Sequence, residues 1–155
     1  MLVSMGFLRV KKIKGKEYAY LVENSWTAKG PRQEVKKYLG RVYKFKGKSN
    51  LAINSEGSKR EFLVKLIESE LEGIKRQLGK EKIEFDREKL HFVKGNRNCV
   101  LGLNQGLMCD FTLGRILNFK KTGDIEVDSV KLAKFFIEAG FDVPQEAFIA
   151  YFERL

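Results

Sequence analysis

Residues 7–44 read FLRVKKIKGKEYAYLVENSWTAKGPRQEVKKYLGRVYK, and the side-chain pattern in most of that stretch repeats every second residue. Leu8 and Val10 alternate with Arg9 and Lys11, and Tyr18 and Tyr20 alternate with Ala19 and Leu21. A period of two is that of side chains on a pleated strand. Lys14-Gly15-Lys16 between the two runs reads as a tight hairpin turn. Asn24 to Pro31 is polar and ends in a Gly-Pro pair, which predicts a loop. From Arg32 to Phe45 the alternation resumes, with Gly40 as a bulge or strand end. Val35 and Leu39 then face away from Arg32, Lys36 and Tyr38. The stretch therefore predicts an antiparallel meander of three or four strands with one apolar side and one basic, aromatic side.

The charge of the chain is concentrated in the same place. Residues 1–50 carry thirteen of the thirty Lys and Arg against three acids, Glu17, Glu23 and Glu34, a surplus of ten that equals the net charge of the whole chain. Residues 51–155 carry seventeen of each sign. A positive field confined to one short segment attracts a polyanion. On that basis Arg9, Lys11, Lys12, Lys14, Lys16, Arg32, Lys36, Lys37 and Arg41 are candidates to neutralise phosphates. Tyr18, Tyr20, Tyr38 and Trp26 are candidates to stack on bases or pack on sugars. The competing reading is a solvated basic face with tyrosines half-buried beneath it. The sequence favours a nucleic-acid-binding protein without catalytic activity.

The order of features in Arg9–Arg41 resembles the small N-terminal β-module of insertion-sequence transposases of the DDE class. A basic strand and Gly-containing turn (Arg9 to Lys16) precede a Tyr-rich strand ending in Val-Glu (Tyr18 to Glu23). A polar loop and a strand carrying Arg32, Gln33, Lys37, Tyr38, Leu39, Gly40 and Arg41 come next. The resemblance implies DNA rather than RNA as the polyanion. It covers no catalytic residue, and residues 51–155 are too few for the RNase H-like domain with which that family carries out its chemistry.

Residues 51–155 read as a mainly helical bundle, which makes the fold class α+β with two parts, 1–50 and 51–155. Ser58 and Glu61 form a capping box for a helix running to Gly79, whose stripe of Leu63, Ile67, Leu71, Ile74 and Leu78 faces a core or, alternatively, a dimer seam. Glu68, Glu70 and Glu72 fall on its outer face. Residues 82–109 fit a short hairpin or an irregular helix equally well, and Lys94, Asn96, Arg97 and Asn98 around Gly95 make a smaller polar loop beside which phosphate contacts could extend. Asp110 is expected to cap a helix over FTLGRILNF and Asp128 one over SVKLAKFFIEA that stops at Gly140, with Pro144 opening the last.

Near the C-terminus, Gln145, Phe148, Tyr151 and Phe152 give Q-x-x-Φ-x-x-Y-F. This is similar to the peptide by which replication and repair proteins dock on the sliding clamp of archaea and eukaryotes, which implies a clamp as a partner. The alternative is that these rings pack on Phe135 and Phe136. A structured RNA or a protein held by an adaptor is the second functional reading. A metal-dependent nuclease using Glu81, Glu84, Asp86 and Glu88 is a third. No cofactor, metal or catalytic residue is expected: His91 stands alone, and Cys99 and Cys109 read as buried reduced thiols. With no run of eighteen apolar residues and no signal-peptide pattern, the expected setting is the cytoplasm, or the nucleoid if DNA is bound, as a monomer or homodimer.

Overall fold

In the computed structural model, which describes residues 6–48 and 56–155, the alternating stretch forms three antiparallel strands: β1 (Phe7–Ile13), β2 (Lys16–Thr27) and β3 (Gly30–Lys44). Lys14 and Gly15 both take positive φ, 52° and 81°, which is the turn that matches the twist of a two-residue hairpin. The expected loop over residues 24–31 is instead almost all strand. Trp26 pairs with Pro31 and Thr27 with Gly30, leaving Ala28 and Lys29 as the tip. The Thr27 hydroxyl donates to the Gly30 carbonyl at 2.8 Å and accepts the Lys29 N–H at 3.2 Å, closing that tip. Pro31 is tolerated because the next strand meets β3 only at Arg41–Lys44, so its other edge is free at Pro31.

The sheet continues across residue 50. After α1 (Lys59–Glu72) and α2 (Lys75–Glu81), the chain adds β4 (Ile83–Asp86), β5 (His91–Lys94), β6 (Arg97–Leu103) and β7 (Gly106–Met108). The strand order is β1-β2-β3-β6-β5-β4, with β7 on β6, and the β3–β6 pairing is parallel. Residues 82–109 thus hold three successive hairpins, β4–β5, β5–β6 and β6–β7, and the class is α+β. The helices α3 (Asp110–Leu117), α4 (Ile125–Glu138) and α5 (Gln145–Phe152) complete the chain.

Two apolar clusters cover opposite faces of this sheet. The larger one sets Phe92, Cys99, Leu101, Leu103 and Met108 against all five helices, through side chains such as Leu63, Ile67, Leu78, Leu113, Leu132, Phe136 and Tyr151. The smaller joins Ala19, Leu39, Val42, Val100 and Cys109, flanked by Leu8, Leu21, Leu107 and Phe111. The stripe expected on residues 63–78 is buried in the larger cluster, so it is not a free dimer seam.

The predicted single helix over 58–79 is two. Ser58 caps it as expected, its hydroxyl accepting the Glu61 N–H at 3.2 Å, but α1 ends at Gly73. A Cβ on Gly73 would lie 2.2 Å from the Lys48 carbonyl oxygen, so the helix breaks where the segment leaving β3 passes against it. Two other caps move. Asp124, not Asp128, caps α4 by accepting the Val127 N–H at 3.2 Å. Asp128 is buried and accepts from Thr122 N–H, Thr122 hydroxyl and Gly123 N–H at 2.7–3.2 Å, which fixes the preceding turn. Cys109, not Asp110, is the residue before α3, and its N–H donates to the Thr112 hydroxyl at 3.1 Å. Gly140 ends α4 with φ 86°, the left-handed ending the sequence predicts.

Glu70 also departs from its expected place on an outer face. It is buried and accepts the Asp142 N–H at 2.8 Å. Burial raises its carboxyl above the usual 4.5, against the opposing pull of that hydrogen bond. The folded state therefore holds the proton to a higher pH than the unfolded chain, and stability present below 4.5 is lost as pH rises toward the folded value. Glu70→Gln keeps an acceptor for Asp142 without the charge. Thermal melts should place this variant above the wild type at neutral pH and level with it in acid. A wild type that melts higher at neutral pH would overturn the assignment.

Candidate nucleic-acid interface

Strand register sorts the basic segment into two faces. Directly opposed residues in a sheet share a face. One face carries the rows Arg9–Tyr20–Tyr38 and Lys11–Tyr18–Arg41, with Lys16 below and Phe7, Val22 and Val35 above. The other carries Leu8, Val10 and Lys12 on β1, and Glu17, Ala19, Leu21 and Glu23 on β2. Over β4–β7 the helices cover the first face, and over β1–β3 that face is open.

On β3 simple alternation fails. The register with β2 shifts between Ala19 and Tyr20 and again between Leu21 and Val22, so Leu39 and Lys36 are extra residues. Each bulge reverses the parity of the residues beyond it. Tyr38 and Arg41, one even and one odd, consequently lie on the same face. Val35 joins Tyr38 rather than facing away from it, and Lys36 and Lys37 turn to the other side. Gly40 accommodates the bulge at Leu39: its φ is 131°, and a Cβ there would lie 2.6 Å from the Asn98 carbonyl oxygen of β6.

The two faces differ in charge. All three acids of residues 1–50 sit on the second face, where Lys36 meets Glu23 and Glu34 at 3.8 and 3.2 Å and Lys44 meets Glu17 at 3.0 Å. Lys37 reaches Asp110 at 3.8 Å on the same side. On the open face, Arg9, Lys11, Lys16 and Arg41 have no carboxylate partner among the described residues. Arg9 instead donates to the Gln33 side chain at 2.6 Å, Lys11 lies 5.0 Å over the Tyr20 ring, and Arg41 lies 4.7 Å over Tyr43. Of the other candidates, Lys14 lies in the β1–β2 turn, and Arg32 lies opposite Ser25 on the acidic side. Trp26 is 85% exposed near the tip of the β2–β3 hairpin, six residues of strand from Tyr20.

Tyr18, Tyr20 and Tyr38 form one aromatic group. Ring centroids are 5.2 Å apart for Tyr20–Tyr38 and 6.4 Å for Tyr18–Tyr38, with planes tilted by 47° and 41°. Tyr38 is 53% exposed. Its phenol is pushed up by burial, then by Tyr20 and Tyr18, while Arg97 pulls it down. Arg97 is the first residue of β6, just after the β5–β6 turn, and the parallel β3–β6 pairing brings that turn to the end of the tyrosine group. Lys16, Tyr18, Tyr38, Arg41, Tyr43, Lys94, Asn96 and Arg97 line the resulting cleft of about 730 Å³. Lys94 pairs with Glu81 at 2.9 Å, whereas Arg97 has no carboxylate partner among the described residues. The Arg41 Nε atom is buried there without a hydrogen-bond acceptor. Cys99 lines the cleft floor, its thiol pushed up to about 11 by burial and so protonated at neutral pH.

The other proposed sites look different. In Gln145, Phe148, Tyr151 and Phe152, Gln145 is exposed, Phe148 and Phe152 are half-buried, and Tyr151 is fully buried. Of the acids weighed for a metal, Glu81 is paired with Lys94, and Asp86 accepts the Glu88 and Lys89 N–H groups at 3.0 and 3.1 Å. Among the described residues no group of three or more His, Cys, Asp or Glu converges, and no helix is long and apolar enough to cross a membrane.

No family model, curated protein or solved structure matches this chain. The likeness to the transposase module and to the clamp peptide therefore rests on the residues quoted for each.

Proposed function

We propose that this chain binds nucleic acid through the open face of β1–β3, as a binding protein rather than an enzyme. The observation that carries this reading is the segregation of charge. Every acid of the basic segment lies on the opposite face against a lysine, which leaves Arg9, Lys11, Lys16 and Arg41 unneutralised around three tyrosines. Arg97 joins them across the strand junction. A merely solvated sheet gains nothing from such sorting, whereas a phosphate backbone is attracted by unpaired cations presented together. DNA in preference to RNA is implied only by the transposase-like order of features in residues 9–41.

Phosphate contacts displace counterions, so affinity must fall with salt. With five contacts the slope of log K against log salt should lie between about −3.5 for single strands and −4.5 for duplex. Fluorescence anisotropy with labelled oligonucleotides across a salt series measures it. Affinity that ignores salt, or no binding at about 50 mM salt, counts against the proposal.

A further inference from the structure

We infer that the nucleic acid this face takes is single-stranded, with an unpaired base on the Tyr38 group and an adjacent phosphate in the cleft between β3 and β6. This rests on the nucleic-acid reading above and specifies its ligand. In a duplex the flat of each base is covered by its neighbours, so a protruding ring on a protein meets only edges, sugars and phosphates. Tyr18, Tyr20 and Tyr38 form a connected aromatic patch at 5.2 and 6.4 Å, and Tyr38 stands half out of the surface. Such a patch is a stacking platform, which every base satisfies because every base has a π face.

The cleft supplies the second half of a nucleotide. Its volume of about 730 Å³ is within the range of small-ligand sites. Arg41 and Arg97 reach it from two strands that neighbour each other in parallel, and Lys16 reaches it from β2. Arg41 is held over the Tyr43 ring at 4.7 Å, and its guanidinium has no carboxylate partner among the described residues. A phosphate oxygen is the acceptor that a guanidinium fork fits best. Tyr18 and Tyr38 line the same cleft, so the stacking group and the cationic group share one site.

The test compares three labelled probes of about 16 nucleotides: a single strand, the same sequence as duplex, and the single strand with its central bases removed. The wild type should bind the intact single strand about tenfold or more tighter than either of the others. Tyr38→Leu should weaken single-strand binding by about fivefold to a hundredfold, while Tyr38→Phe, which keeps the ring, should retain the affinity. Duplex or base-free strand bound as tightly as the intact strand overturns the inference and leaves the charged face standing. Binding to none of the three at about 50 mM salt overturns both. The base-free probe needs no variant, so the comparison holds even if the leucine substitution disturbs the sheet.

Discussion

Tyr151→Ala is expected to lower the free energy of unfolding by about 3–5 kcal/mol, the size seen when a large buried ring is cut back to a methyl. The ring is fully buried between Phe62 and Phe136, with centroids at 6.4 and 5.4 Å, and its hydroxyl donates to the Ile116 carbonyl at 3.0 Å. Burial also pushes the phenol well above its ordinary range, as an environment that excludes its anion must. Tyr151→Phe keeps the packing and removes one of two hydrogen bonds that the Ile116 carbonyl accepts, the other coming from the Phe119 N–H at 3.3 Å, a loss of about 1 kcal/mol. Denaturant midpoints separate the two, and an alanine variant within about 1 kcal/mol of wild type would show that α5 is dispensable to the core. The same burial bears on the clamp-like sequence. A docking peptide inserts exposed side chains into a partner's pocket, and here Tyr151 would first have to leave the core. Phe148 and Tyr151 do pack on Phe136, as the alternative reading expected, whereas Phe152 packs on Phe148 and Phe135 turns to Phe119.

Local signals in the sequence predict local structure well in this protein. The period of two locates β1, most of β2 and the end of β3, Gly15 marks the first hairpin, Gly40 the bulge, Ser58 a helix start and Gly140 a helix stop. Each of these is decided by a few neighbouring residues and a backbone preference. What alternation misses is nonlocal. The parallel β3–β6 pairing joins Arg41 to Cys99, and nothing in either stretch encodes that partnership. It is this pairing that carries Lys94 and Arg97, visible in the sequence only as a polar loop, to the edge of the tyrosine group. The two bulges on β3 are the other hidden element. Counting by twos from Arg32 puts Lys36 with Tyr38 and Val35 opposite, yet the inserted residues reverse both assignments. The candidate site was thus legible as a set of residue types on one segment, while its division into an open and a neutralised face needed the register.

That division makes the second large effect specific. Consider two variants with the same change in net charge: Arg9, Lys11 and Arg97 changed to Gln on the open face, and Lys12, Lys36 and Lys37 changed to Gln on the other. At physiological salt each lost phosphate contact removes about 0.6–0.7 log units of affinity, so the open-face variant should bind about a hundredfold more weakly, with a salt slope shallower by about 2–3. The opposite-face variant should lose less than about fivefold and keep the wild-type slope, because Lys36 and Lys37 already spend their charge on Glu23, Glu34 and Asp110. Both sets are surface substitutions, for which stability changes stay near 0.5 kcal/mol, so affinity rather than folding is compared. Anisotropy titrations at several salt concentrations give both numbers. Equal losses from the two variants would mean that total charge draws the polyanion and that the sorting of side chains by the β3 bulges has no part in binding. A loss confined to the open face ties function to register: Leu39, the extra residue between Tyr38 and Arg41, is then what puts the two on the same side of the sheet.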